Sequence, residues 1–122
     1  MKSTLKYLTL MIMSVMFSIA ISSCNKDAVA NWKTLKKLYK TYENGEISEC
    51  KHNGQVVYRG ALSATDAGEE IYNIDGKQIG NCDYAWGNAD QICRELTDCE
   101  VFYRSEDNIW GRPAIDIYSL GK

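Results

Sequence analysis

The 122-residue sequence predicts a small α+β protein, in which two helices cover an antiparallel sheet made of two hairpins and a C-terminal strand. Three observations lead to this fold class. One long segment has apolar residues at helical spacing, and two pairs of short extended segments flank an Asn-Gly or Asp-Gly dipeptide. The segments after residue 45 also contain an even set of four cysteines, which suits disulfide bonds.

The first 23 residues have the pattern of an export signal. Lys2 and Lys6 precede a charge-free run, residues 7–23, which is shorter and more polar than the ~20 apolar residues that a transmembrane helix needs. The run ends in "ISSC", an aliphatic residue and two small ones directly before Cys24, and this resembles the lipobox of bacterial lipoproteins. The resemblance implies that residues 1–23 are a signal peptide and that Cys24 is lipidated and becomes the first mature residue.

The rest of the chain adds a weaker resemblance. With its leader, its paired cysteines and its "NGQVVY" and "IYNIDGKQIG" segments, the chain resembles small envelope lipoproteins of diderm bacteria, many of which belong to families without an assigned function. The specific part of this resemblance covers residues 1–24. It implies anchoring through palmitate and further acyl chains on Cys24, which together hold firmly to a membrane. Asn25 implies transfer to the outer membrane, on a side that stays open.

A basic amphipathic helix is predicted at the start of the mature domain, residues 24–122. Apolar side chains recur there at spacings of three and four: Val29, Trp32, Leu35, Leu38 or Tyr39, and Tyr42. With Gly45 as a stop signal, this spacing predicts a helix over residues 28–43. Either its apolar face packs on the domain, or the helix lies along the membrane surface with Trp32 inward.

The first predicted hairpin turns at Asn53-Gly54, the preferred dipeptide of a two-residue type I′ turn. Counting outward from this turn places Cys50 opposite Val57 and Glu49 opposite Tyr58. Such pairs of aromatic and β-branched residues stabilise antiparallel sheets.

The second predicted hairpin turns at Asp75-Gly76 in the same way. The same count then places Tyr72 opposite Ile79. The polar segment "LSATDAG" connects the two hairpins.

A short second helix and a fifth strand complete the prediction. Asn88 is a candidate N-cap. The side chains that would share the inner face of this helix are Ala89, Ile92, Cys93 and Leu96. The alternating segment "EVFYR" predicts the C-terminal strand, and residues 105–122 are expected to form a tail.

The cysteine pattern predicts two disulfide bonds. Without Cys24, four cysteines remain: Cys50, Cys82, Cys93 and Cys99. An exported chain folds in an oxidising compartment, so two bonds in one of three connectivities are expected. We favour Cys82–Cys93 with Cys50–Cys99, because Cys82 ends a strand on which the helix that carries Cys93 can fold back. A zinc site is disfavoured, because the chain has no Cys-x-x-Cys pair and a single histidine.

The charges divide the mature chain into a basic helix and an acidic body. From Cys24 to Tyr42, five lysines face one aspartate, a net charge of +4, whereas from Glu43 onward seven basic residues face fifteen acidic ones, a net charge of −8. Clustered lysines are attracted to anionic lipid head groups. A net acidic body, residues 46–122, argues against nucleic-acid binding.

No catalytic constellation emerges from the sequence. His52 lies beside a turn with no nucleophile tied to it, and Asp66, Glu69 and Glu70 suit a solvated loop better than a carboxylate or cation site. Glycine-rich phosphate loops and zinc motifs do not occur. We therefore expect no enzyme activity, no metal and no cofactor.

Loop aromatics are the best candidates for a binding surface. Tyr84 and Trp86 lie in "YAWG" and Trp110 lies in "IWGRP", with Arg112 two residues later. Tryptophan, tyrosine and arginine are common anchors of binding surfaces, and functional residues gather on loops held by a rigid scaffold. The alternative is that these rings close the ends of a small core.

Three functional hypotheses follow. We prefer a lipid-anchored module whose loop aromatics bind a protein or glycan of the cell envelope. The second is a small inhibitor or immunity-like protein that blocks a cationic hydrolase such as lysozyme. The third is a minor structural subunit of an envelope complex that docks through the amphipathic helix.

Overall fold

The computed structural model describes residues 31–122, and the seven strands in this part of the chain pair into one antiparallel sheet. The strands are β1 (Gly45–His52), β2 (Gln55–Leu62), β3 (Glu69–Tyr72), β4 (Gln78–Asp83), β5 (Asn88–Ala89), β6 (Thr97–Arg104) and β7 (Ile115–Asp116). The helices are α1 (Trp32–Tyr42) and α2 (Ile92–Glu95). The leader, Cys24 and the first residues of the predicted helix lie outside the described residues.

The α+β class and the antiparallel sheet are confirmed, but the predicted count of five strands is wrong. The strand order is β5-β4-β3-β2-β1-β6-β7, so the additional strands β5 and β7 form the two edges. Each has two residues. Two residues are too few to show the alternation by which a strand is recognised in a sequence.

The first hairpin has the predicted register. Cys50 pairs with Val57 and Glu49 pairs with Tyr58. Asn53 and Gly54 have φ angles of 50° and 76°, and positive φ at both central residues is what a type I′ turn requires.

The predicted pair of Tyr72 with Ile79 in the second hairpin is wrong, because Tyr72 pairs with Gln78. The shift is local: Ile71 pairs with Gly80, as counting outward from the predicted turn requires, and the irregularity lies between Ile71 and Tyr72. Of residues 73–77, only Gly76 has a positive φ, 81°, and its N–H donates to the carbonyl of Asn73 at 3.0 Å. This is a longer turn with a left-handed glycine, and the irregularity beside it restores the predicted register from Ile71 onward.

Helix α1 packs on one face of the sheet, which we call the helix face. This face carries Ile47, Tyr58 and Gly60, and the buried residues of α1 include Leu35, Leu38 and Tyr42. A Cβ atom at Gly60 would lie 2.3 Å from the ring of Tyr42, so glycine lets the helix approach the sheet closely. From Leu35 to Tyr42 the apolar stripe is therefore used for packing within the domain, whereas Trp32 at the start of the helix is only half-buried.

The opposite face, the disulfide face, holds a second cluster. The residues buried there are Cys50, Val57, Ile71 and Cys82. Ile92, Cys93 and Leu96 pack against them from α2 and its C-terminal end, as predicted. Both disulfides, Cys50–Cys99 and Cys82–Cys93, have the connectivity that we favoured.

The predicted start of the second helix is wrong. Asn88 pairs with Asp83 in the edge strand β5, and α2 begins at Ile92 after Gln91. After β5, the Asp90 carboxylate accepts a hydrogen bond from the Asn81 N–H in β4 at 2.8 Å. The chain therefore stays extended through β5, which pairs with β4, and turns into the helix only after Asp90.

The connections divide the sheet into two ends. The turns at residues 53–54 and 73–77 lie at one end, the turn end, and the connections 63–68, 84–87 and 105–114 lie at the other, the loop end. The first half of α1 lies near the turn end, since the Thr34 hydroxyl donates to the carbonyl of Ile74 at 2.7 Å. Neither helix of residues 31–122 is long and apolar enough to cross a bilayer.

Candidate binding site

The loop end of the sheet presents all four loop residues that the sequence singled out. Tyr84 and Trp86 lie in the connection between β4 and β5, and Trp110 and Arg112 lie in the connection between β6 and β7. The two connections belong to the same end because β4 and β6 both run towards it.

The connection 84–87 is a tight, braced turn, which we call the aromatic turn. The Gly87 N–H donates to the carbonyl of Tyr84 at 3.3 Å, and Gly87 has a φ of 72°. The Cys82–Cys93 disulfide fixes the strand that leads into the turn, and the Tyr84 hydroxyl donates to the carbonyl of Cys93 at 3.3 Å.

Both aromatic side chains of this turn are exposed to solvent. The exposed fraction is 58% for Tyr84 and 72% for Trp86. The alternative, in which these rings close the end of the core, is therefore wrong for this pair. A rigid turn with two exposed rings provides contact area for a partner at little cost in side-chain entropy.

The connection 105–114 is held by Asn108, which sequence reasoning missed. Its side-chain amide donates to the carbonyls of Ser105 and Arg112, both at 2.8 Å, and its side-chain oxygen accepts from the Arg112 N–H at 3.0 Å. The Ile109 N–H donates to the Ser63 hydroxyl at 2.8 Å. Asparagine in a loop is a known local bridge to backbone groups, and this was the available signal.

The residues that this second connection presents differ in exposure. Ile109 and Arg112 are exposed, whereas Trp110 is half-buried. Trp110 therefore lies between the two alternatives that the sequence left open, a fully exposed anchor and a buried core residue.

The structure does not bring the four predicted residues into one patch. Five strand spacings separate the hairpin of β4 and β5 from the hairpin of β6 and β7. At about 4.8 Å per strand, the centres of the two hairpins lie about 24 Å apart across the sheet, although the connection 105–114 reaches Ser63 at the end of β2. The aromatic turn and the loop around Trp110 are therefore two separate surfaces.

The candidate carboxylate cluster is dispersed. Glu69 lies on the disulfide face, 3.6 Å from the Arg59 guanidinium, whereas Glu70 lies on the helix face and accepts hydrogen bonds from Tyr42 and Tyr72. No group of three or more potential metal ligands occurs in the described part of the chain. Asp66 is exposed in the connection 63–68.

His52 is held by a carboxylate, and within residues 31–122 no nucleophilic side chain hydrogen-bonds to it. Its Nε2 lies 2.8 Å from Glu95, which also accepts a hydrogen bond from the Gln91 amide at 2.7 Å. These two hydrogen bonds, that of His52 first, lower the pKa of Glu95. The pair fastens α2 to the end of β1.

Comparison with protein-family models, with curated proteins and with solved structures finds no match for this chain. The candidate surfaces therefore depend on geometry, exposure and charge within residues 31–122.

A third surface lies on α1, whose outward side chains form what we call the lysine stripe. Its members are Lys33, Lys36, Lys37 and Lys40, and all four are exposed. They recur at spacings of three and four residues and so share the outer side of the helix, where the Lys37 ammonium also donates to the carbonyl of Gly76 at 3.3 Å.

Proposed function

We propose that this protein is a lipid-anchored, non-catalytic binding module of the bacterial cell envelope, and that its aromatic turn contacts a protein or a glycan. The observation that carries this proposal is the 72% exposure of Trp86 on a turn braced by a disulfide. Large aromatic residues that are held rigidly in solvent are typical anchors of interfaces. The anchor itself is inferred from the lipobox-like segment before Cys24.

An inhibitor of a cationic hydrolase is the second candidate. Of the fifteen acidic residues after Tyr42, only Glu46, Glu69 and Glu95 form ion pairs within residues 31–122. The other carboxylates leave a negative field that would steer a positively charged enzyme to the domain. The third hypothesis, docking through α1, now depends on the lysine stripe and the half-buried Trp32, because Leu35, Leu38 and Tyr42 are buried against the sheet.

The anchor is tested by Cys24→Ala. Without the thiol, no acyl chain can be attached, so the variant should accumulate as a slower-migrating precursor that does not incorporate labelled palmitate. Electrophoresis and metabolic labelling measure both effects. Processing to the mature mass with unchanged labelling would show that Cys24 is not the lipidated residue.

The aromatic turn is tested by placing the photoreactive residue p-benzoylphenylalanine at Trp86 in cells. We expect a specific adduct there, which protease would remove if the partner is a protein and muramidase would remove if it is peptidoglycan. Ile117, which is 66% exposed beyond β7, is the matched control position and should give no such adduct. An adduct with a soluble hydrolase would favour the inhibitor.

Once the partner is identified, Trp86→Ala should weaken binding by about 30-fold or more, as interface anchors do. Its melting temperature should change little, because Trp86 is exposed. Equal labelling from positions 86 and 117, or full affinity of Trp86→Ala, would exclude the aromatic turn as the contact surface.

A further inference from the structure

The lysine stripe carries positive charge that the domain does not neutralise. The ion pairs of residues 31–122 are His52–Glu95, Arg59–Glu69 and Arg104–Glu46, and none involves a lysine of α1. The first turn of α1 contains no acidic residue. Four positive charges therefore follow one side of an eleven-residue helix that is fixed to an otherwise acidic body.

An apolar flank borders the stripe. Trp32 and Ile74 line an open cleft of about 1020 Å³ together with the four lysines, and Ile74 is 44% exposed. The Lys36 ammonium lies 5.4 Å from the centre of the Trp32 ring, within range of a cation–π contact. Asp75 is the single acidic residue that lines this cleft.

We propose that the lysine stripe, together with Trp32 and Ile74, is a membrane-contact surface that rests on the head groups of anionic phospholipids. Lysines beside a tryptophan and an exposed aliphatic side chain match the charged and interfacial layers of a bilayer surface. The inference goes beyond the binding of a partner at the aromatic turn, and it rests on the proposed function only in assuming that Cys24 is anchored.

The chain length between the anchor and the helix supports this occupant. Asn31, the first described residue, directly precedes α1 and comes seven positions after Cys24. Seven residues span at most about 25 Å, so a lipidated Cys24 would keep the first turn of α1 within that distance of the bilayer. An anionic surface is then the nearest partner for an uncompensated basic helix face.

The contact is tested with a chain that starts at residue 24 and carries Cys24→Ser, so that acyl chains play no part. This chain retains the compact unit of residues 31–122 with both disulfides. We expect it to co-sediment with vesicles of phosphatidylcholine and phosphatidylglycerol in equal parts, but not with pure phosphatidylcholine. Added salt should weaken the binding, because it screens exposed charges.

Charge reversal identifies the surface. Each lysine near an anionic bilayer contributes about fivefold to binding, so Lys33→Glu, which changes the charge by two, should weaken vesicle binding by about 25-fold. Arg94→Glu makes the same change on α2, across the sheet from α1, and should weaken binding less than threefold. Both side chains are exposed, so circular dichroism should show that both variants stay folded.

The three tryptophans report the orientation. With Trp86 and Trp110 replaced by phenylalanine, brominated lipids should quench the fluorescence of Trp32. In the reciprocal variant that keeps only Trp86, the same vesicles should leave the fluorescence unchanged. The proposal is overturned by an absence of binding to anionic vesicles, by equal losses in Lys33→Glu and Arg94→Glu, or by stronger quenching of Trp86. None of these readouts involves the partner of the aromatic turn, so the two proposals fail independently.

Discussion

Glu69 and Glu70 are neighbours in β3 whose side chains have different partners on opposite faces of the sheet. The Glu70 carboxylate accepts hydrogen bonds from Tyr42 at 2.8 Å and from Tyr72, and the two hydroxyl groups lie 2.7 Å apart. Burial, then the hydrogen bond to Glu70, raises the pKa of Tyr72 to about 12, and burial also raises the pKa of Tyr42. The cluster therefore fastens α1 to β3 with protonated hydroxyls, and these groups are unsuited to act as nucleophiles at neutral pH.

We predict that Glu70→Ala destabilises the fold by about 2 kcal/mol, because it leaves two partly buried hydroxyls without their charged acceptor. Glu69→Ala, the matched control, removes a partly exposed ion pair and should cost less than about 1 kcal/mol. Urea unfolding at neutral pH measures both. Equal losses would show that the tyrosine cluster contributes nothing specific.

The cluster of Tyr42, Glu70 and Tyr72 also determines how the stability of the fold changes at alkaline pH. A tyrosine whose pKa is raised from 10.0 to about 12 in the folded state stabilises the fold fully below pH 10, and this contribution is lost as the pH rises through 12. The loss above pH 10 should therefore be smaller in Tyr72→Phe than in the natural chain.

The two hairpins show how far local sequence determines an element. Both were predicted from an X-Gly dipeptide, and the pairing next to the turn was correct only where both residues adopt positive φ, at Asn53 and Gly54. In the second turn, the Asn73 side chain accepts hydrogen bonds from the N–H groups of Asp75 and Lys77, both at 3.0 Å. This side-chain bridge extends the turn, and the dipeptide alone does not reveal it.

The edge elements were beyond local prediction for a different reason. Asn88 has the chemistry of a helix cap, but pairing with Asp83 keeps it extended in β5. That preference depends on β4 being an unpaired edge, which is a property of the whole sheet. The amphipathic period of α1, by contrast, correctly predicted the buried Leu35, Leu38 and Tyr42, because that signal is contained within the helix.

The arrangement of the candidate sites is a property of the whole molecule. The exposure of Tyr84 and Trp86 fits the sequence argument from glycine-flanked loops, but their separation from Trp110 depends on the strand order, which no motif in the chain encodes. The lysine stripe was visible in the sequence. That it points outward became clear only once the apolar side of α1 was seen to pack on the sheet.

The two disulfides differ in the elements that they join and in the length of the loop that they close. Cys50–Cys99 joins the neighbouring strands β1 and β6 and closes a loop of 49 residues, whereas Cys82–Cys93 joins β4 to α2 and closes a loop of 11. On chain entropy, the first contributes about 4 kcal/mol and the second about 3 kcal/mol. Either is a large share of the roughly 5–15 kcal/mol by which a domain is stable.

We predict that Cys50→Ala with Cys99→Ala accelerates amide hydrogen exchange throughout the sheet, because the long loop restrains the whole unfolded chain. Cys82→Ala with Cys93→Ala should accelerate exchange more in residues 81–96 than in β1 and β6, and it should abolish the photo-adduct at Trp86, because the aromatic turn also loses its brace. Each pair contains one fully buried cysteine, Cys50 or Cys82, so the cavities left by the substitutions are comparable. If opening Cys82–Cys93 accelerated exchange in residues 81–96 no more than in β1 and β6, or left the adduct intact, this disulfide would not be the local brace of the aromatic turn.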